Sequence, residues 1–155
     1  MNKTVLSKYL CYLFSCSLVS CHAQKEDNRS LLTGRTWKVT SCIAAKPVDL
    51  NSRGNASTNL LTQSPSCIND DIYLFKKNGV FLVDDNNDVC TSITRVPGSW
   101  KLTGTDQLFV DFGGDGVKIR FRIVEISSRR MQLLARMPFV TGGVNVTYTY
   151  VPAGN

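Results

Sequence analysis

The sequence predicts an all-β fold, an eight-stranded up-and-down antiparallel barrel, on three observations. From Leu31 onward apolar residues recur with period two, the repeat of a strand that buries one face. Turn signals separate the alternating runs at short intervals, led by Asn78-Gly79, the strongest short hairpin signal. No segment of ten residues carries a helical stripe. Eight such runs in succession suit a closed small barrel, whose interior is either filled by side chains or holds one small ligand.

The first twenty residues read as a targeting segment. Lys3 and Lys8 form a basic start, and Tyr9 to Ser20 an apolar stretch shorter than the roughly 20 residues a permanent span needs. Leu18-Val19-Ser20-Cys21 resembles the lipobox of bacterial lipoproteins. That resemblance implies removal of residues 1–20 and a lipid, palmitate among its acyl chains, on Cys21. It makes the membrane a partner through the amino terminus. Two other cleavage patterns fit: a second lipobox, Leu13-Phe14-Ser15-Cys16, and an ordinary cut after Ala23. Residues 22–30 are polar and aperiodic, a tether averaging roughly 16 Å as a flexible coil. Within it Gln24-Lys25-Glu26-Asp27 resembles the acidic signal that sends some lipoproteins to the outer face of the outer membrane, with a periplasm-facing anchor as the alternative. The domain is then residues 31–155.

Each strand has its own run. Thr36 to Ile43 alternates Trp37 and Val39 with Lys38 and Thr40. Ile72 to Phe75 and Val80 to Val83 flank Lys76-Lys77-Asn78-Gly79, and Ser99 to Thr103 and Gln107 to Phe112 flank Gly104-Thr105-Asp106. Lys118 to Ile126 sets Ile119, Phe121 and Ile123 against Lys118, Arg120 and Arg122. Ser127 to Arg130 turns the chain into Met131 to Met137, and Val144, Val146, Tyr148 and Tyr150 alternate with polar residues in the last strand. One connection is unlike the rest. Ala44 to Asp70 is long and polar, with Leu60-Leu61 apolar in its middle, and loops of that length tend to be functional or disordered. It could fold over one end of the barrel.

Six cysteines are present; the leader accounts for Cys11 and Cys16, and the lipid for Cys21. An exported chain meets an oxidising compartment, so Cys42, Cys67 and Cys90 should give one disulfide and one spare thiol. A two-residue Asn78-Gly79 turn pairs positions whose numbers add to 157, as those of Cys67 and Cys90 do. Opposed Cβ atoms in an antiparallel pair lie close enough for a bridge. Cys42 then reads as a small buried hydrophobe.

Leu32-Thr33-Gly34-Arg35-Thr36-Trp37-Lys38-Val39 resembles the first-strand motif of lipocalins, in which a glycine slightly precedes a tryptophan. Cys67, Asp70 to Phe75, Asn78-Gly79, Cys90, Gly98 to Leu102 and Val146 to Tyr150 are similar to the bacterial lipocalin-like lipoproteins, over about residues 31–151. Here two residues separate the glycine from the tryptophan, where the animal motif has one. The resemblance therefore implies the fold and a broad binding role, not particular ligand residues.

The chain is short of catalytic parts. The single histidine, His22, lies outside the domain, so no Ser-His-Asp or Cys-His pair can form inside the barrel, and no closed zinc site either. Asp70, Asp71, Asp84, Asp85, Asp88, Asp111 and Glu125 could supply a carboxylate pair, but most fall at strand ends where acids are simply solvated. Asp84, Asn86 and Asp88 hold the first alternating positions of a calcium loop, yet Val89 and Arg95 stand where glycine and a bidentate glutamate are required. Gly113-Gly114-Asp115-Gly116 lacks the lysine and helix of a phosphate loop. Neither a catalytic nor a metal site is expected, and no cofactor.

The net charge of +6 falls to +4 without the leader, and no basic block exceeds two residues, so nucleic acid is not an expected partner. Lys118, Arg120 and Arg122 read as a wet strand face, with lipid phosphates or an anionic ligand as the alternative. The inward positions carry the functional expectation. Trp37, Val39, Ile119, Phe121, Ile123, Leu133, Ala135, Val146, Tyr148 and Tyr150 are candidates to line a cavity. The expected role is non-catalytic binding of a small hydrophobic or amphipathic molecule at the bacterial outer membrane. A solid barrel serving as a structural or interaction subunit of a surface assembly is the alternative.

Overall fold

The period-two runs form strands, and the strands close on themselves. The computed structural model describes residues 27–89, 96–114, 117–139 and 142–154. The leader, the lipobox at Cys21, its alternatives at Cys16 and Ala23, and the tether as far as residue 26 lie outside the described residues.

The strands are β1 (Thr36–Val48), β2 (Ser57–Asn59), β3 (Ile72–Phe75), β4 (Val80–Asp84), β5 (Gly98–Thr103), β6 (Gln107–Asp111), β7 (Lys118–Ile126), β8 (Met131–Phe139) and β9 (Gly142–Pro152). Every pairing is antiparallel. Eight of them run in sequence order from β1 through β3 to β9, and β9 returns to β1 from Trp37↔Pro152 to Ala44↔Val146. This is the closed eight-stranded up-and-down barrel. β2 is an addition: three residues hung on the far half of β1, where β3 no longer reaches it.

The barrel has two unlike ends. At the lower end the short helix α1 (Asn28–Thr33) lies against the β3–β4 and β5–β6 turns. Asp27 caps it by accepting from the Ser30 N–H at 2.7 Å. Asn28 Nδ2 donates to the Thr105 carbonyl, and the Trp37 indole N–H donates to the Leu32 carbonyl at 3.1 Å. The Arg29 guanidinium sits 4.9 Å over the Trp100 ring. Asn28 to Ser30, expected as the end of a tether, are thus part of the domain, because the cap and Leu31 and Leu32 tie them to it.

Above α1 the barrel is solid. Leu32, Trp37, Leu108 and Met131 are wholly buried, and the Phe75 ring stands 5.0 Å from Phe81 and 5.7 Å from Trp100. A second buried group, Cys42, Ala44, Val48, Leu60, Val144 and Val146, occupies the upper end.

Two expectations about the chain path are corrected. The β3–β4 turn is not a two-residue turn: Phe75 pairs with Phe81, which puts the register one residue off the arithmetic that opposed Cys67 to Cys90. The Gly79 N–H donates to the Lys76 carbonyl, the Lys76 N–H to the Val80 carbonyl, and Gly79 takes φ +85°, a bulged turn that only glycine adopts cheaply. Cys67 lies on a helical turn, α2 (Ser66–Asn69), not on a strand. It is disulfide-bonded; Cys90 lies outside the described residues. The other correction concerns the long connection, which starts later than Ala44 because β1 continues to the buried Val48. Beyond Val48 the chain is ordered into β2, a 3₁₀ turn (Leu60–Gln63) and α2, and it covers the upper end.

Candidate functional site

A cavity of about 260 Å³, open to solvent on part of its boundary, lies in the upper half of the barrel. Its wall comes from Val39 and Cys42 of β1, Tyr73 of β3, Phe112 just after β6, Ile119 and Phe121 of β7, Met137 and Phe139 of β8, and Tyr148 and Tyr150 of β9. Its roof is the long connection, through Leu50, Leu60, Leu61, Ser64 and Ile68. The barrel is therefore neither solid throughout nor hollow throughout.

Hydrogen bonds hold the roof in shape. Gln63 binds both sides of one turn: its amide donates to the Val48 carbonyl at 2.7 Å, and its oxygen accepts the Leu50 N–H at 2.8 Å. Asn69 Nδ2 donates to the Leu61 carbonyl. At the outer corner the Asp49 carboxylate accepts the N–H groups of Asn51, Arg53 and Gly54, the last at 2.6 Å. Desolvation pushes the Asp49 pKa up, but the backbone donors together outweigh it and hold the carboxyl below its ordinary value. Leu60 is buried beneath, while Leu50 is 38% exposed and stands at the rim.

The polar groups that line the cavity are few. Cys42 and Tyr148 face each other across the β1–β9 pair and share a side-chain hydrogen bond. That contact lowers the thiol pKa and raises the phenol pKa. Burial outweighs it at Cys42, whose pKa is pushed up to about 11. Burial likewise raises Tyr148 and Tyr150 well above the usual phenol range. Ser64 donates its hydroxyl to the Leu60 carbonyl at 3.0 Å. Tyr150 and Phe121 make edge contacts with Tyr73 and Tyr148, at 5.5 and 5.6 Å.

Five of the expected lining residues, Val39, Ile119, Phe121, Tyr148 and Tyr150, border this cavity. The others do not. Trp37, Ile123, Leu133 and Ala135 belong to the solid packing below, and Val146 is buried in the upper cluster. The most informative addition is Cys42. A straight alternation from Trp37 and Val39 would turn Ser41 and Ile43 inward, but the β1–β9 register shifts between Val39 and Ser41. One extra residue reverses the parity, so Cys42 and Ala44 are buried and Ile43 is 43% exposed. A similar shift in β7 after Ile123 turns Glu125 outward and packs Ile126 against the core. Phe139 escapes the expected run because β8 extends two residues past Met137, which itself holds the inward parity of that run.

The remaining candidates do structural work. Ser66 donates to Asp88, and Asp70 accepts the N–H groups of Asn87 and Asp88, joining α2 to the turn after β4. Asn86 sits at φ +52° with its N–H on Asp84, so the acidic run is built as a turn. Asp111 pairs with Lys118 at 3.4 Å and Glu125 lies 3.9 Å from Arg130, both at the surface. Arg120 lies 4.9 Å over the Phe109 ring on the outer face. Among the described residues no group of three or more His, Cys, Asp or Glu could hold a metal ion.

No protein-family model matches the chain, and no curated protein matches it. Among solved structures, a complex of bovine odorant binding protein with a selenium-containing odorant is similar to it, at 14% identity and a TM-score of 0.46, over 84% of this chain and 75% of that one. The closed barrel is established by this chain's own strand pairing.

Proposed function

We propose that this chain is a non-catalytic binding protein for a small hydrophobic or amphipathic molecule, moored by a lipid on Cys21 at the bacterial outer membrane. One observation carries the binding role: an apolar cavity of about 260 Å³ under a hydrogen-bonded roof, beside a lower half packed to capacity. Sequences fill such space readily when nothing needs it, since a void forfeits the contacts its lining would make. The binding reading is tested by thermal shift and native mass spectrometry of the purified protein against lipids, sterols and aromatic metabolites. A binder that raises the melting temperature and is lost on Val39→Phe supports it. A panel without a binder, together with a protein that co-purifies in fixed ratio, overturns it in favour of a structural subunit.

The mooring rests on the lipobox residues and places the domain, by the acidic tetrapeptide, on the cell surface. Labelled palmitate entering the wild-type chain and not Cys21→Ala is the expected result. A Cys21→Ala chain that still sediments with membranes sinks it. The bonded Cys67 is assigned to Cys90, because the Ser66–Asp88 and Asp70–Asn87 hydrogen bonds bring α2 beside the segment that leads to position 90. Peptide mapping without reduction should recover the two cysteines in one linked fragment.

A further inference from the structure

We infer, resting on the proposed binding role, that the cavity selects a compact, neutral aromatic molecule of the indole class and rejects fatty acids and other ionised amphiphiles. Three observations converge on this chemistry.

The wall is unusually aromatic for its size: Tyr73, Phe112, Phe121, Phe139, Tyr148 and Tyr150 surround it. Such walls suit a flat ring, which gains offset or edge contacts beyond simple burial. The volume is the second observation. At about 260 Å³ the cavity lies below the roughly 300–1,000 Å³ of drug-sized pockets. Leu32, Trp37, Leu108 and Met131 close the barrel beneath it, so a long acyl tail has no room to extend downward.

The third observation concerns polarity. No Asp, Glu, Lys, Arg or His is among the described residues that line the cavity. A carboxylate drawn inside would lose its hydration with no cation to meet it, a cost of several kcal/mol that excludes it. The polar side chains on the lining, Cys42, Ser64, Tyr73, Tyr148 and Tyr150, are neutral, and Ser64 donates its hydroxyl to the Leu60 carbonyl. Hydroxyls both donate and accept, so the cavity can meet a neutral polar group but not an unpaired charge.

The test uses the purified full chain and isothermal titration with indole, 1-methylindole and indole-3-carboxylate, with a long-chain fatty acid and a sterol as outside probes. Indole and 1-methylindole should both bind, and the carboxylate at least a hundredfold more weakly. Val39→Phe, whose ring takes the ligand's space, should weaken both neutral probes at least tenfold. Equal affinity for the carboxylated probe overturns the inference. Binding of the fatty acid or sterol without indole overturns it as well while leaving the binding role standing; no binding by any probe overturns both.

Discussion

Two substitutions to the same residue should separate the filled half of the barrel from the hollow half. Leu108 is wholly buried on β6, paired with Leu102 on one side and Phe121 on the other, and borders no cavity. Leu108→Phe adds a ring to space already occupied, and overpacking of that kind costs about 1–3 kcal/mol. For a domain of this size that is a fall of about 4–12 °C in melting temperature. Val39→Phe adds more volume, yet its side chain borders the 260 Å³ void and faces β9 at Tyr150. The new ring can enter the void, so the stability change should stay within about 1 kcal/mol, small beside the overpacking range. It should also weaken any cavity ligand at least tenfold. Urea unfolding followed by tryptophan fluorescence reads both stabilities, because Trp37 and Trp100 are buried in the lower half. Equal losses from the two variants would refute the division of the barrel, and unchanged ligand affinity in Val39→Phe would refute the location of the site.

Three further outcomes are expected. Cys42, with its pKa pushed from 9.0 to about 11, should alkylate at pH 8 about a hundredfold more slowly than an ordinary thiol, and denaturant should abolish the protection. Because the folded value is the higher one, its contribution to stability is present below pH 9.0 and is lost as pH rises through about 11, which alkaline unfolding curves can follow. Asp49 has the opposite sign: its folded value is depressed, so its hold on the roof persists above the ordinary 3.8 and is lost as pH falls through the lower folded value. Hydrogen exchange at Asn51, Arg53 and Gly54 should accelerate there, and Asp49→Asn should show faster exchange already at neutral pH. Gly98→Ala should destabilise by more than about 2 kcal/mol, since its Cβ would stand 1.9 Å from the Asp111 carbonyl oxygen and the backbone must move; a change under about 0.5 kcal/mol, the range of innocuous surface substitutions, would refute this.

The architecture was legible because alternation survives in most strands. Lys118 to Ile123 and Val144 to Tyr150 each turn inward the residues their pattern picks out, Ile119 and Tyr148 half-buried, and the β5–β6 and β7–β8 turns fall where Gly104 to Asp106 and Ser127 to Arg130 mark them. The cavity was half legible. Inward-facing residues could be named from parity, but parity cannot say at which height along the barrel the packing stops. Trp37 and Val39 read alike in sequence; in the fold one sits in the solid half and the other at the void. Cys42 was hidden by a bulge, a backbone event with no side-chain signature at Thr40. The roof was hidden because its order comes from Gln63, Asn69 and Asp49 bonding to backbone groups, and polar side chains in such a stretch equally fit disorder. Its one apolar pair, Leu60-Leu61, was the signal, and both residues do face the cavity.

The energetics of the hollow half argue that it is kept for use. A pocket partly open to solvent forfeits the contacts that filling it would give its lining. Cys42, Ser64 and Val39 are all small side chains on its border, and larger apolar residues there would have removed much of that cost. The lower half shows that this chain can fill a barrel with Trp37, Phe75, Phe81 and Trp100 where nothing has to enter. The solid floor, sealed by α1, supplies the stability that lets the upper half remain open, and the bonded roof keeps the opening from collapsing inward. A ligand that fits recovers the missing contacts. Stabilisation should therefore rise with ligand concentration as binding to the folded state alone requires, about 2.7 kcal/mol at a hundredfold excess over Kd. A ligand that binds tightly without raising the melting temperature would have to sit elsewhere on the protein or bind the unfolded chain as well.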